Sequence, residues 1–301
     1  MTRAFLFPGQ GSQKTAMGQD FYERSPVAKA VLDEANDLYE GADLLHILFT
    51  GTQEEINHTR VAQPGLLAVE VAIARHLIEH GTAPSGCAGH SLGEIPALVI
   101  AGALSFDEAF RLTLVRARLM SENVPDGGMA AVLGLDPEAI EANLTADVQV
   151  ANFNGPGQTI ISGTRTGIEA TTNALMEAGA KRVMSLPVSG PFHSDLMGPA
   201  AEKFAQALAH VPIKTPSIPI ISSVTASTVT DPEAIRALLS EQLYSPVRWT
   251  EVMAAIGQQN ALEIGPGNVL RGLAKRMEGA PSVRCVGMVS DIDKLSEPDN
   301  G

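Results

Sequence analysis

The chain has 301 residues, 45% of them hydrophobic and 18% charged, which is long and apolar enough for one main domain with a smaller one attached. Its formal net charge of −13 excludes general nucleic-acid binding, because such binding needs a dominant basic surface. The first residues hold too short an apolar run for a signal peptide, and we expect no segment with the ~18 to 20 apolar residues of a membrane span. We therefore expect a cytoplasmic protein without membrane partners.

The predicted elements begin with a short buried strand that leads into a glycine-rich loop. Residues 4–7 are apolar, and residues 8–13 are mostly turn formers whose backbone N–H groups could face an anion. The loop has neither the Walker nor the G-x-G-x-x-G spacing. Helical periodicity then predicts helices over Pro26–Leu38 and 63–80, the second with an apolar face toward the core.

A serine between two glycines follows at the spacing Gly89-x-Ser91-x-Gly93. Small residues precede it, and an apolar run over 95–104 comes after it, a pattern that predicts a strand, a tight turn and a helix. Serine nucleophiles occupy such turns in hydrolase-like folds. Ser91 is therefore a candidate nucleophile, provided that a base and an oxyanion hole lie elsewhere in the chain.

The next helix is predicted to start at Ser105, where Glu108 completes the pattern of a capping box. On this helix Arg116 shares a face with apolar side chains. A charge in that position needs a partner or a ligand. Two interpretations stay open from the residues alone: an internal ion pair with a carboxylate such as Glu94, or a bound anionic group.

From residue 127 the pattern changes to alternating short strands and helices. The order strand, helix, strand, strand, helix, strand is that of a ferredoxin-like unit. The predicted ranges are 129–135, 137–144, 148–154, 158–163, 167–178 and 182–188. The fold class is thus predicted as α/β, a hydrolase-like core with an inserted ferredoxin-like subdomain, the core over 1–124 and 190–301 and the insert over 125–189.

The core resumes after the insert with further helices and strands. We predict a helix over 194–209, a strand over 218–223, a helix over 233–243 and a strand over 262–264. The last strand leads into Gly265-Pro266-Gly267.

One of the seven histidines is placed to act as a base. His193 lies in a Gly-Pro loop between a strand and a helix, where side chains commonly reach a cleft. His90 adjoins Ser91 on a turn where neighbouring side chains diverge, so we interpret it as a support for the turn. The others are interpreted as structural or solvated: His46, His58, His76, His80 and His210.

We expect neither a metal nor a cofactor. His90 and Glu94 have the i, i+4 spacing of two helical ligands, but no third ligand follows at the usual spacing. Cys87 and Cys285 are far apart in the sequence and lack zinc or redox spacing, so we interpret them as small buried residues.

Taken together, these motifs resemble those of the malonyl-CoA:acyl-carrier-protein transacylases and the related acyltransferases of polyketide synthases. Several motifs in the family's order, over nearly the whole chain, are more specific than any one of them. The matching stretches are Phe7-Pro8-Gly9-Gln10-Gly11-Ser12-Gln13, Gln63-Pro64, Gly89-His90-Ser91-Leu92-Gly93-Glu94, Arg116, Asn152-Phe153-Asn154, Pro156-Gly157-Gln158, Phe192-His193-Ser194, Gln242-Leu243-Tyr244-Ser245-Pro246-Val247-Arg248-Trp249 and Glu263-Ile264-Gly265-Pro266-Gly267.

The resemblance implies a role for each matching residue. Ser91 is implied as nucleophile and His193 as general base, oriented by the main-chain carbonyl of Gln242 instead of a carboxylate. The N–H groups of Gln10 and Leu92 are implied as the oxyanion hole. The remaining implied contacts are with the substrate, with Arg116 holding the malonyl carboxylate: Arg116, Phe192, Gln63 and Asn154.

The implied activity is ping-pong transfer of malonyl from malonyl-CoA to the phosphopantetheine thiol of an acyl carrier protein, through a malonyl-serine. Because the sequence leaves no obvious apolar stripe for an interface, we expect a monomer. Phe192 resembles the malonyl-selecting version of its position, where a ring crowds an α-methyl group. The alternatives are an acyltransferase dedicated to a polyketide synthase, an acyl hydrolase, a plain serine esterase and a catalytically silent module that binds carrier protein.

The chain departs from the family pattern at two places, Ile95-Pro96 and Gly190. Pro96 lacks an N–H group, so the helix after Ser91 is expected to be distorted or to start late. Because carrier proteins of this kind are acidic, docking is expected to use the few clustered cations of this acidic chain. These cations are Lys181, Arg182, Arg271, Lys275 and Arg276.

Overall fold

The computed structural model describes residues 3–122 and 124–296, which form two β-sheets with helices packed on them. The strands are β1 Arg3–Phe7, β2 Pro84–Gly89, β3 Gly127–Leu133, β4 Val148–Gly155, β5 Gln158–Thr164, β6 Arg182–Ser185, β7 Ile220–Ile221, β8 Thr228–Val229, β9 Ala261–Ile264 and β10 Val283–Val286. The helices are α1 Gln19–Arg24, α2 Pro26–Leu38, α3 Leu44–Thr50, α4 Gln53–Asn57, α5 Thr59–Glu79, α6 Glu94–Ile100, α7 Phe106–Leu119, α8 Pro137–Glu141, α9 Arg165–Glu177, α10 Gly198–Leu208, α11 Pro232–Glu241, α12 Trp249–Ile256, α13 Val269–Ala274 and α14 Val289–Asp293.

The larger sheet has six strands in the order β10-β9-β1-β2-β7-β8. All neighbours pair in parallel except β7 and β8. Strand β1 lies inside the sheet and is covered on both faces. Phe5 and Phe7 join the main core, whereas Leu6 packs into a second core beside Trp249. This two-sided burial explains why β1 is continuously apolar instead of alternating.

The smaller sheet has the order β4-β5-β3-β6, with every pair antiparallel. Along the chain its elements run β3, α8, β4, β5, α9, β6, so the predicted βαββαβ order is confirmed. The predicted fold class, an α/β core with a ferredoxin-like insert, is confirmed as well. The domain limits at 124/125 and 189/190 remain a proposal.

Helix α5 crosses the centre of the larger unit. Contrary to the expectation from sequence, it is long and apolar enough to span a membrane, but 89% of its most apolar stretch is buried within the protein, as in a core helix. Pro64 removes the N–H that would reach the Arg60 carbonyl one turn back, and the Tyr39 hydroxyl donates to that carbonyl instead at 3.2 Å. Tertiary contact therefore replaces the missing helical bond.

Several predicted boundaries were wrong. The predicted helix over 194–209 is a 3₁₀ turn, Asp195–Met197, followed by α10, since Pro199 is accommodated in the first turn of a new helix. The predicted strand over 218–223 shrinks to β7. Six short helices and two edge strands were not predicted, because runs of two to eight residues carry little periodicity. They are α1, α3, α4, α12, α13, α14, β8 and β10.

Candidate active site

Ser91 lies on a tight turn between β2 and α6. Its φ is 53°, a left-handed conformation that non-glycine residues rarely adopt. A Cβ on Gly89 would lie 1.9 Å from the Gly93 carbonyl carbon, and one on Gly93 would lie 2.0 Å from the Phe7 carbonyl oxygen. Both glycines are therefore required by backbone contact, and the turn has the geometry of a nucleophile elbow.

Pro96 fits this turn without breaking it. A 3₁₀ turn covers Ser91–Gly93, and α6 begins at Glu94, so Pro96 occupies the first turn of the helix. N–H groups there have no partner within the helix, and the missing one costs little. The helix after Ser91 thus starts late, as one of the two expectations had it, and it need not be distorted to accommodate Pro96.

His193 is hydrogen-bonded to Ser91, with its Nε2 2.8 Å from the serine Oγ. Its Nδ1 lies 2.8 Å from the Gln242 carbonyl oxygen and 3.1 Å from that of Ser245. Because carbonyl oxygens only accept, the ring proton lies on Nδ1 and the Nε2 lone pair faces the serine hydroxyl. Two main-chain carbonyls thus hold the ring where a carboxylate would stand in a Ser-His-Asp triad.

Two backbone N–H groups, one in the loop after β1 and one in the elbow itself, belong to segments that pack together. Strands β1 and β2 pair with Phe7 opposite Gly89, and a Cβ on Gly9 would lie 2.5 Å from the His90 carbonyl oxygen. The loop after β1 therefore touches the elbow. In the described part of the chain, the N–H groups of Gln10 and Leu92 donate to no other group, which leaves both available to an oxyanion.

Arg116 projects from α7 into the same place and is only 1% exposed. Its guanidinium donates to the Gln63 side-chain oxygen at 2.9 Å and to Ser91 Oγ at 3.1 Å. Among the described residues its Nε has no acceptor. Burial lowers the pKa of Arg116 to about 10, so the group remains a cation at neutral pH. A buried cation with a free donor beside a serine is suited to an anionic ligand.

Glu94 does not form a direct ion pair with Arg116 within the described ranges; Gln242 joins the two. The Gln242 Oε1 accepts from Arg116 at 3.1 Å, and its Nε2 donates to the Glu94 carboxylate at 2.7 Å. Ser223 donates its N–H and hydroxyl to the same carboxylate, at 3.1 and 2.6 Å. Gln242 therefore positions both the guanidinium, through its side chain, and the imidazole, through its carbonyl.

The contribution of Glu94 and Ser223 was missed by the sequence analysis. Glu94 was considered as a direct partner of Arg116 and as a helical metal ligand beside His90, and Ser223 was not singled out. Burial raises the pKa of Glu94, against the lowering effect of these hydrogen bonds. An acidic residue placed on an otherwise apolar helix was the one signal that could have found this network.

The remaining candidate residues, Gln63, Asn154 and Phe192, differ in what they contact. Gln63 links Arg116 to the Gln10 side chain, whose Oε1 accepts from Gln63 Nε2 at 3.3 Å. The Asn154 side-chain oxygen accepts from His90 Nε2 at 2.9 Å and so supports the elbow. Phe192 is buried among Met120, Met129 and neighbouring apolar side chains. The structure thus brings Ser91, His193, Arg116, Gln63 and Gln242 into one hydrogen-bonded group, whereas Asn154 contacts His90 instead.

The parallel sheet, the elbow and the inserted antiparallel sheet define an α/β protein with a hydrolase-like core. The chain matches the family described as acyl transferase domain over residues 4–294, and it belongs to that family. It is therefore an acyltransferase.

Proteins of known name and structure resemble the chain over most of its length. The Bacillus subtilis (strain 168) malonyl CoA-acyl carrier protein transacylase is 47% identical, over 91% of this chain and 90% of its own. An acyl carrier protein S-malonyltransferase from Vibrio cholerae superposes with a TM-score of 0.93 at 40% identity, covering 98% and 100% of the two chains. A malonyl-transacylase in complex with a type II PKS acyl-carrier protein gives 0.92 at 41%, covering 98% of each.

Proposed function

We propose that this protein transfers malonyl from malonyl-CoA to the phosphopantetheine thiol of an acyl carrier protein. The observation that carries the proposal is the buried Arg116 guanidinium at 3.1 Å from Ser91 Oγ. A substrate whose acyl group ends in a carboxylate would satisfy this cation, and a planar fork suits a carboxylate better than a lysine does. The names of the relatives support the same substrates.

In the first half-reaction, Ser91 Oγ attacks the thioester carbonyl while His193 Nε2 takes its proton. The N–H groups of Gln10 and Leu92 hold the tetrahedral oxyanion, and the C–S bond then breaks. The leaving thiolate takes the proton from His193. The products are CoA thiol and a malonyl-serine ester at Ser91.

In the second half-reaction, the carrier's thiol loses its proton to His193 Nε2, and its sulfur attacks the ester. The Ser91 oxygen leaves and regains the proton, which restores the starting hydrogen bond. Arg116 keeps the malonyl carboxylate in place through both halves, since the bound group is the same.

Intact-protein mass spectrometry tests this proposal. The protein is mixed with malonyl-CoA, weighed, and then given holo acyl carrier protein. We expect a malonyl adduct on the protein that passes to the carrier. An adduct lost to water equally fast with and without carrier would favour the acyl hydrolase, and no adduct at all would favour a silent binding module.

The acylation rate is expected to stay constant from pH 8 to pH 5. The pKa of His193 is lowered to about 3, first by burial and then by the Arg116 charge, against the opposing effect of the Gln242 and Ser245 carbonyls. A general base acts when neutral, so a lowered pKa keeps it active at acidic pH. With an ordinary pKa near 6.5 the rate at pH 5 would fall roughly 30-fold. Single-turnover acylation, quenched and followed by mass measurement, distinguishes a lowered from an ordinary pKa of His193. A half-maximal rate near pH 6.5 would contradict the expectation.

Methylmalonyl-CoA is expected to be a poor substrate. The buried Phe192 ring directly precedes His193, where it would crowd an α-methyl group. One methyl group in an apolar pocket changes kcat/KM by ~10- to 200-fold. The measurement compares kcat/KM for both thioesters in the wild type and in Phe192→Leu, which should narrow the difference. Equal values in the wild type would refute the assignment.

Charge reversal at five exposed cations is expected to raise the KM for carrier protein by about fivefold or more, since each contributes ~0.2 to 1 kcal/mol. Lys181 packs on Gly134, whose N–H binds the Gly157 carbonyl, and Arg276 donates to Gln158, so both lie beside the β4–β5 turn. The other three are Arg182, Arg271 and Lys275.

The docking effect should weaken as salt rises, because exposed charges are screened. Reversal of Lys214, an exposed lysine outside the cluster, is the control and should leave the KM unchanged. If reversal of all five also left it unchanged, the carrier would dock elsewhere.

The remaining expectations stay predictions: a cytoplasmic monomer without nucleic-acid or membrane partners and without a cofactor. We expect the acyl carrier protein to belong to fatty-acid synthesis, and the alternative is a carrier protein of a polyketide synthase.

A further inference from the structure

A second group of ligating side chains lies at the C-terminal end of α5, at the other end of the helix from Gln63. His76 and Glu79 occupy the last turn, and His80 caps it. One ligand atom from each of the three side chains lies within 4.8 Å of the other two. The segment His76-Leu77-Ile78-Glu79-His80 has the H-x-x-E-H spacing with which some metallopeptidase helices hold zinc.

Hydrogen bonds hold the two imidazoles next to each other. Their ring centroids are 4.1 Å apart, and the ring planes are inclined by 34°. His80 Nδ1 lies 2.8 Å from the His76 carbonyl oxygen and must donate to it, so in the neutral ring the lone pair is on Nε2. His76 Nδ1 lies 2.8 Å from Ser25 Oγ, which can accept a hydrogen bond in the same way. Metal-bound histidines commonly have such an oxygen partner on the second nitrogen.

An aromatic ring and a carboxylate lie beside the two imidazoles. His76 is buried and packs against Phe21, with ring centroids 5.4 Å apart. Glu79 is exposed and supplies a negative charge beside the two rings.

We propose that His76, Glu79 and His80 bind a divalent transition-metal ion of the Zn²⁺, Ni²⁺ and Cu²⁺ class. Imidazole ligands favour these ions over Mg²⁺ and Ca²⁺, which prefer oxygen. Three protein ligands leave a fourth position for water. The ion would join the last turn of α5 to its capping residue and stabilise the folded chain by linkage. This site is independent of the proposed acyl transfer.

Isothermal titration of the tag-free, chelator-treated full chain with ZnCl₂ tests the proposal, with His80→Ala as the main variant. His80 is exposed, so its replacement leaves the fold intact. His210→Ala, which removes an exposed histidine elsewhere, is the matched control. Thermal unfolding with and without zinc gives a second readout, and titration with MgCl₂ tests the class of ion.

We expect one equivalent of zinc on the wild type and on His210→Ala, with a raised thermal midpoint, and no saturable binding of magnesium. His80→Ala should bind zinc about 100-fold more weakly or worse, since loss of an outer-shell partner alone costs ~10- to 100-fold. Absence of a saturable zinc site on the wild type would overturn the proposal. Unchanged zinc binding by His80→Ala would overturn it as well, because the ion would then be held elsewhere, for example at Cys285.

Discussion

Ser91→Ala is expected to abolish the malonyl adduct and to lower acyl transfer on the order of 10⁶-fold, as seen when other serine enzymes lose their nucleophile. The variant lacks only Oγ, the atom that accepts from Arg116 and lies 2.8 Å from His193 Nε2. The backbone strain at φ 53° is the same for alanine as for serine, so the turn is retained. Intact-protein mass measurement after mixing with malonyl-CoA detects the adduct directly.

Ser85→Ala, in the strand that leads to the elbow, is the matched control and should acylate like the wild type. Thermal unfolding of both variants verifies that each is folded. A malonyl adduct on Ser91→Ala, mapped by proteolysis to another residue, would show that Ser91 is not the nucleophile.

Arg116→Ala is expected to lower kcat/KM for malonyl-CoA by about 10²- to 10⁴-fold, since two hydrogen bonds to a charged group contribute roughly 1.5 to 3 kcal/mol each. The kcat/KM for acetyl-CoA should fall much less, because acetyl-CoA has no carboxylate for the guanidinium to hold. The substrate preference therefore shifts toward acetyl, although the amide oxygens of Gln63 and Gln242 lose their donor. Competition between the two thioesters, measured by mass of the adducts, gives the ratio.

Arg118→Ala provides the comparison, because Arg118 lies on the same helix two residues further on and is exposed. It should leave the malonyl-to-acetyl ratio unchanged. If Arg116→Ala lowered acylation by both thioesters equally, Arg116 would hold Ser91 and Gln242 in place without binding the substrate carboxylate.

A single residue, Gln242, positions two functional groups of this site, the imidazole of His193 and the guanidinium of Arg116. The Gln242 carbonyl faces His193, and its side chain lies between Arg116 and the buried Glu94. A shift of Gln242 would move the base and the guanidinium together. Ser223 adds two donors to Glu94, which keeps the bridging amide in one orientation.

The sequence by itself determined the parts whose geometry is local. Gly89 and Gly93 are required because a Cβ on either would collide with backbone atoms, and the apolar run of β1 reflects burial on both faces. The βαββαβ order and the capping box at Ser105 depend on neighbouring residues and were also predicted correctly. Short-range sterics and hydrogen bonds leave such patterns in the sequence.

Only the tertiary structure decided how distant residues meet. Ser91 and His193 are 102 positions apart, and Glu94 and Gln242 are 148 apart, so no local spacing relates them. The carbonyls that orient His193 could belong to any residue type, because a main-chain acceptor leaves no side-chain signature. The choice between a direct Arg116–Glu94 pair and a bridge through Gln242 likewise depended on where α6, α7 and the end of α11 pack, which long-range contacts of the core determine.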